Sequence, residues 1–192
     1  MGREIDYLRV SVTDRCNLRC RYCMPGGVPS VEHAEVLRYE ELLRLCGLAA
    51  GLGIHAFKVT GGEPLVRRDC MSFLAELKKL RGVEQVTLTT NGILLPDHLE
   101  ALRTAGVDGI NVSLDTLDDG LYSSLTGAPP GTAALVWRAA EASAAMGIHT
   151  KLNAVLLPET VEGIVELTAA ADTVPADIRF IELMPIGAGK GR

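Results

Sequence analysis

The chain has 192 residues, 47% hydrophobic but only 4% aromatic, with 19 basic against 24 acidic side chains and a formal charge of -5. Such a chain can bury a sizeable core, and its Leu-, Ala- and Gly-rich mixture suits helices alternating with short strands, an α/β class, better than an aromatic-rich sandwich. No basic run tracks a phosphate backbone and no window approaches the ~18 apolar residues of a membrane span, which argues against nucleic acid and membrane as partners.

In chain order, the first predicted strand is Tyr7 to Val12. Charges at Arg3, Glu4, Asp6 and Arg9 occupy the place where a signal peptide needs an apolar stretch, so a cytoplasmic location is expected. The remaining strands are Ala56 to Thr60, Gln85 to Thr89, Gly109 to Ser113, Thr150 to Val155 and Asp177 to Glu182. Helices are predicted at Tyr39 to Leu52, Asp69 to Leu80, Pro96 to Ala105, Thr132 to Met146 and Thr160 to Ala171, with Pro96 suited to a first turn. Four helices run into a glycine, Gly53, Gly82, Gly106 or Gly147, that can take the left-handed conformation ending a helix. Strict alternation implies right-handed crossovers and a parallel sheet, either doubly wound or curled toward a (β/α) barrel. The last six residues, Gly187 to Arg192, read as a loop.

In a parallel barrel the functional residues sit just after the strands. Here those positions are polar or glycine-rich: Thr13-Asp14-Arg15, Thr60-Gly61-Gly62-Glu63, Thr89-Thr90-Asn91-Gly92 and Ser113-Leu114-Asp115, with Asn153 and Glu182 on the later strands. Any one of these is ordinary capping chemistry; together they mark one rim. Cys16, Cys20 and Cys23 form a CxxxCxxC loop directly after the first strand. Three thiolates leave one iron of a 4Fe-4S cube without a protein ligand, whereas structural zinc normally takes four closed ligands. A zinc site would need His33 or Cys46 as the fourth ligand. Cys46 and Cys70, each within a predicted helix, read as small core residues.

The CxxxCxxC loop with Tyr22 before its last cysteine, followed by Gly61-Gly62-Glu63-Pro64 after the next strand, resembles the radical S-adenosylmethionine (SAM) superfamily. The longer strings Leu8 to Cys16, Tyr22 to Pro25, Val59 to Leu65, Leu88 to Gly92, Ile110 to Asp115 and Arg179 to Met184 look like its GTP 3',8-cyclase branch, which serves molybdenum cofactor (molybdopterin) biosynthesis. The resemblance runs from Tyr7 to Gly187. It implies a partial (β/α)6 TIM-like barrel, with residues 1–192 forming a radical SAM core domain that is part of a longer protein lacking here its last helix and a C-terminal region. That region carries a second 4Fe-4S cluster in the family. A barrel edge left bare in this way implies low solubility or oligomer formation.

The same resemblance makes Cys16, Cys20 and Cys23 ligands of a 4Fe-4S cluster. Tyr22, Gly62, Ser113 and Met184 would contact SAM, and Glu63 would help neutralise its amine. Gly61-Gly62 would let the backbone approach the ligand, Ser113 would offer a hydroxyl and Met184 a polarizable surface. Arg9, Lys58, Thr89 and Lys151 would contact GTP, three inward cations making sense against a triphosphate. Lys58 departs from the arginine expected there and loses a bidentate fork. The implied reaction is a lyase step in which one electron from the cluster cleaves SAM, and the resulting 5'-deoxyadenosyl radical converts GTP to (8S)-3',8-cyclo-7,8-dihydroguanosine 5'-triphosphate. No catalytic residue separate from the cofactor site is implied; the partners are GTP, an electron donor and, as an option, a second copy in a homodimer. Two other readings stay open: another radical SAM enzyme with a peptide or cofactor substrate, and a zinc-binding interaction module.

Overall fold

The computed structural model describes residues 5–26, 31 and 35–184; His33 and the predicted loop from Gly187 to Arg192 lie outside them. Six strands, β1 (Tyr7–Ser11), β2 (Ala56–Thr60), β3 (Gln85–Thr90), β4 (Gly109–Ser113), β5 (His149–Leu156) and β6 (Ala176–Glu182), form one parallel sheet in the order of the chain. That order decides between the two predicted architectures. A doubly wound sheet reverses direction partway, whereas right-handed crossovers that always advance the same way put every helix on one face and curl the sheet around the other. The fold is therefore an open arc of (β/α) units, with β1 and β6 as its two edges.

The helices are α1 (Tyr39–Gly51), α2 (Cys70–Lys79), α3 (Leu99–Thr104), α4 (Asp119–Thr126), α5 (Thr132–Ala145) and α6 (Ile164–Ala171). Local chemistry sets their ends. The Arg38 N–H donates to Glu41 at 2.7 Å in a capping box before α1, and Asp118 accepts the Leu121 N–H at 2.6 Å before α4. Gly53, Gly82, Gly106 and Gly147 all have positive φ, as their helix-ending positions require. Pro96 falls in a 3-10 turn, Leu95–His98, that leads into a shorter α3 than predicted. The helix α4 was not predicted: five were expected and the described residues hold six.

Strand residues alternate in role. Val59, Val86, Leu88, Ile110, Val112 and Leu152 point to the helices and are fully buried against Leu74, Leu77, Leu102 and Val136. Cys46 and Cys70 belong to this layer, at 1% and 3% exposure. Parallel strands covered on both faces read as unbroken apolar runs. Here the opposite face carries Arg9, Lys58, Thr89, Asn111, Ser113, Lys151 and Arg179 instead, because it faces cavities rather than a second layer of helices.

Candidate active site

The cysteine loop leaves β1 and is held on two sides by main-chain bonds. On one side Gly62 N–H donates to the Thr13 carbonyl at 2.7 Å and Glu63 N–H to the Arg15 carbonyl at 2.8 Å. On the other, Arg19 and Arg21 N–H donate to the carbonyls of Thr126 and Leu125, each at 2.9 Å, at the end of α4. Cys23 and Met24 N–H then close a turn on the Cys20 carbonyl, both at 3.0 Å. The missed helix α4 is thus half of the loop's support; Asp118 and Gly127, a cap at each end, were the legible signal.

The glycine pair lines the cavity and has a further task within the chain. A Cβ on Gly62 would lie 2.2 Å from the Arg15 carbonyl oxygen, and one on Gly61 2.5 Å from that of Thr13. The bare backbone is needed for the two loops to touch, and the Gly62 N–H is already used in doing so. Glu63 turns away from the cavity. It is 1% exposed, and its carboxylate accepts the Leu65 N–H at 3.0 Å, the Thr90 hydroxyl at 2.8 Å and the Asn91 N–H at 2.6 Å. Burial raises its pKa against these bonds. Its carboxylate joins the β2 and β3 loops, where the sequence reading had looked only to a ligand amine.

All three cysteines are free thiols lining one cavity of about 750 Å³ with Tyr22, Gly62, Ser113, Arg9, Lys58 and Thr89. Cys16 and Cys20 are half-buried and Cys23 is exposed. Burial pushes the Cys20 thiol up to about 12, helped by the Asp115 carboxylate and the neighbouring cysteines, and burial also raises Cys23. Both thiols are therefore neutral at pH 7, and any metal they bind must displace a proton. Among the described residues no three His, Cys, Asp or Glu side chains converge closely enough for a single metal ion. A soft donor set of three thiols spread along a cavity wall fits a multi-iron cluster, which takes each thiolate on a different iron.

Beside the cysteines, the Tyr22 hydroxyl donates to Asp115 Oδ2 at 2.5 Å, and Asp115 Oδ1 accepts the Val155 N–H at 2.9 Å. Asp115 is 6% exposed and burial raises its pKa, yet it lines the cavity. Sequence reasoning gave it no role, although it stands at a strand end. Deeper along the strands, Arg9 and Lys58 are register partners on β1 and β2, and Arg179 joins them from β6. Lys58 has its pKa lowered, first by burial and then by Arg179, Arg9 and Lys151. Arg179 is the cation that the sequence reading missed. Among the described residues none of Arg9, Lys58 and Arg179 is in an ion pair, while Lys151 is held by Asp177 at 2.7 Å and faces a smaller cavity of about 160 Å³ shared with Lys58 and Arg179. Met184, beyond β6, is 65% exposed and does not line the larger cavity.

The model of the Radical SAM superfamily matches residues 10–171, most of the chain. The chain belongs to the radical SAM superfamily. Membership accounts for an iron-sulfur cluster and SAM as the cofactors for which this rim is built. Curated relatives agree: proteins named GTP 3',8-cyclase from Heliobacterium modesticaldum and Moorella thermoacetica are 48% and 45% identical over 100% and 96% of this radical SAM chain. The chain spans 59% and 58% of their lengths. Solved structures share the fold. Streptococcus suis SuiB bound to SAM superposes with a TM-score of 0.81 at 22% identity, covering 94% of this chain and 41% of that one, and native anSMEcpe with bound AdoMet gives 0.73 at 22%, covering 93% and 51%.

Proposed function

We propose that residues 1–192 are the barrel portion of a GTP 3',8-cyclase, in which Cys16, Cys20 and Cys23 hold a 4Fe-4S cluster, SAM binds beside it and the triphosphate of GTP lies on the inward cations. The observation that carries the reading is one cavity with soft thiols at its rim and, farther along the strands, three cations, Arg9, Lys58 and Arg179, with no ion pair among the described residues. Like charges gathered along one cavity wall repel one another, as the lowered pKa of Lys58 reflects, and a polyanion removes that repulsion. The relatives named GTP 3',8-cyclase favour this reading over a peptide-modifying one.

When bound, the cluster supplies the single electron that cleaves SAM to a 5'-deoxyadenosyl radical. The chain's own residues bind and orient. Tyr22, fixed by Asp115, and Ser113 wall the SAM side; Thr89 and the cations hold the nucleotide so that its ribose faces that wall; Lys151 meets the far end of the triphosphate once Asp177 releases it. Gly61 and Gly62 keep the cysteine loop at its distance from β2. The second cluster, the electron donor and any homodimer contact belong to the longer protein, which works in the cytoplasm.

The test is SAM cleavage by the anaerobically reconstituted protein, with about four irons per chain, in the presence of GTP, ATP or neither. GTP-dependent formation of a cyclised dihydro nucleotide is expected. Cleavage that no nucleotide alters would sink the cyclase reading and leave a radical SAM protein with another substrate.

A further inference from the structure

Two donors from outside the cysteine motif reach the same end of the cavity. Asn91, in the loop after β3, places Nδ2 3.9 Å from Cys16 Sγ, within hydrogen-bonding distance for sulfur. Its amide cannot turn around. Oδ1 accepts the Ile93 N–H at 3.1 Å, Nδ2 donates to Asn17 Oδ1 at 2.7 Å, and its own backbone N–H is held by Glu63 at 2.6 Å. One amide hydrogen is left for the sulfur. Tyr122, on α4, has a ring that is 2% exposed and a hydroxyl with no partner among the described residues, yet it lines the cavity that holds Cys16 and Cys20. A buried hydroxyl without an acceptor costs about 1–3 kcal/mol, so its persistence calls for an acceptor. Burial raises the pKa of this phenol and keeps it protonated as a donor.

We propose that Asn91 Nδ2 and Tyr122 Oη are hydrogen-bond donors to the sulfurs of the cluster held by Cys16, Cys20 and Cys23, and that they set its reduction potential. The inference rests on the cluster reading above. Reduction adds a negative charge that spreads onto sulfur, and donors aimed at sulfur stabilise the reduced form more than the oxidised one. Removing either donor makes the potential more negative. Asn91 and Tyr122 act through the cluster ligands and are positioning residues, not catalytic ones.

The experiment is an anaerobic redox titration of the reconstituted protein, followed by the electron paramagnetic resonance signal of the reduced cluster, with iron counted per chain. Tyr122→Phe keeps the ring and deletes only the hydroxyl; Asn91→Ala deletes the amide; Cys46→Ala is the control. Each of the first two is expected to retain its iron and to lower the one-electron reduction equilibrium constant about tenfold, ~59 mV more negative, while the control stays at the parent value. Potentials equal to the parent's, or loss of iron from both variants, would assign these side chains a purely structural role and overturn the proposal. A parent protein that takes up no iron would instead overturn the cluster reading on which it rests.

Discussion

The two ends of the cavity are built on opposite terms. At the rim, the main-chain contacts that shape the cysteine loop are made within the chain: loop carbonyls meet Gly62 and Glu63 N–H groups, Glu63 is fully bonded, and Tyr22 is tied to Asp115. Deeper in, Arg9, Lys58 and Arg179 face one another without a counter-ion among the described residues. The first end is a scaffold that owes its shape to the chain alone. The second is held in a repulsive arrangement by the strands that carry it, and that repulsion is available to favour an anion.

If this contrast is right, mutations at the two ends should differ in sign. The largest effect is expected from Gly62→Ala, whose Cβ would sit on the Arg15 carbonyl. It should lose iron binding and about 3 kcal/mol of stability, measured by iron analysis and urea unfolding. Next comes Glu63→Gln, which sets an amide against the buried N–H and hydroxyl donors of Leu65, Thr90 and Asn91 and should cost about 2 kcal/mol. Lys58→Met should do the reverse: stability equal to the parent or higher, with GTP binding weakened about tenfold or more by calorimetry. A Lys58→Met protein as destabilised as the Glu63 variant would erase the distinction between the ends.

The smallest and sharpest test is pH. A lysine is charged below its pKa, and that of Lys58 is lowered in the ligand-free protein. Binding a triphosphate favours the charged form, so affinity should fall as pH rises through the lowered value, with proton uptake on binding. Lys58→Arg should flatten that alkaline fall, since a guanidinium stays charged. An unchanged pH profile in the arginine variant would remove Lys58 from the nucleotide site.

Most strand and helix positions were legible because helix-ending glycines and the regular strand-helix alternation reported on the same repeating unit. Helix α4 escaped because it runs on to α5 with no strand between them, outside the strict strand-helix alternation on which the reading rested. The site was legible where one residue type carries the chemistry, as in the cysteine loop and the inward cations. It was not legible where a role depends on packing direction. Nothing in Gly61-Gly62-Glu63 says that the glycines also meet a neighbouring loop, or that the carboxylate faces that loop region rather than the cavity. Arg179 and Asp115 were hidden for a related reason: which face a strand end presents is fixed by register with the neighbouring strand, such as Arg179 beside Asn153.

The sequential strand order also bears on how the molecule assembles. Each strand pairs with its predecessor, so contacts can form in the order in which the chain leaves the ribosome. The segments that pin the cysteine loop end at Thr126. A nascent chain therefore has the main-chain supports of that loop seen among the described residues before β5 and β6 have been synthesised.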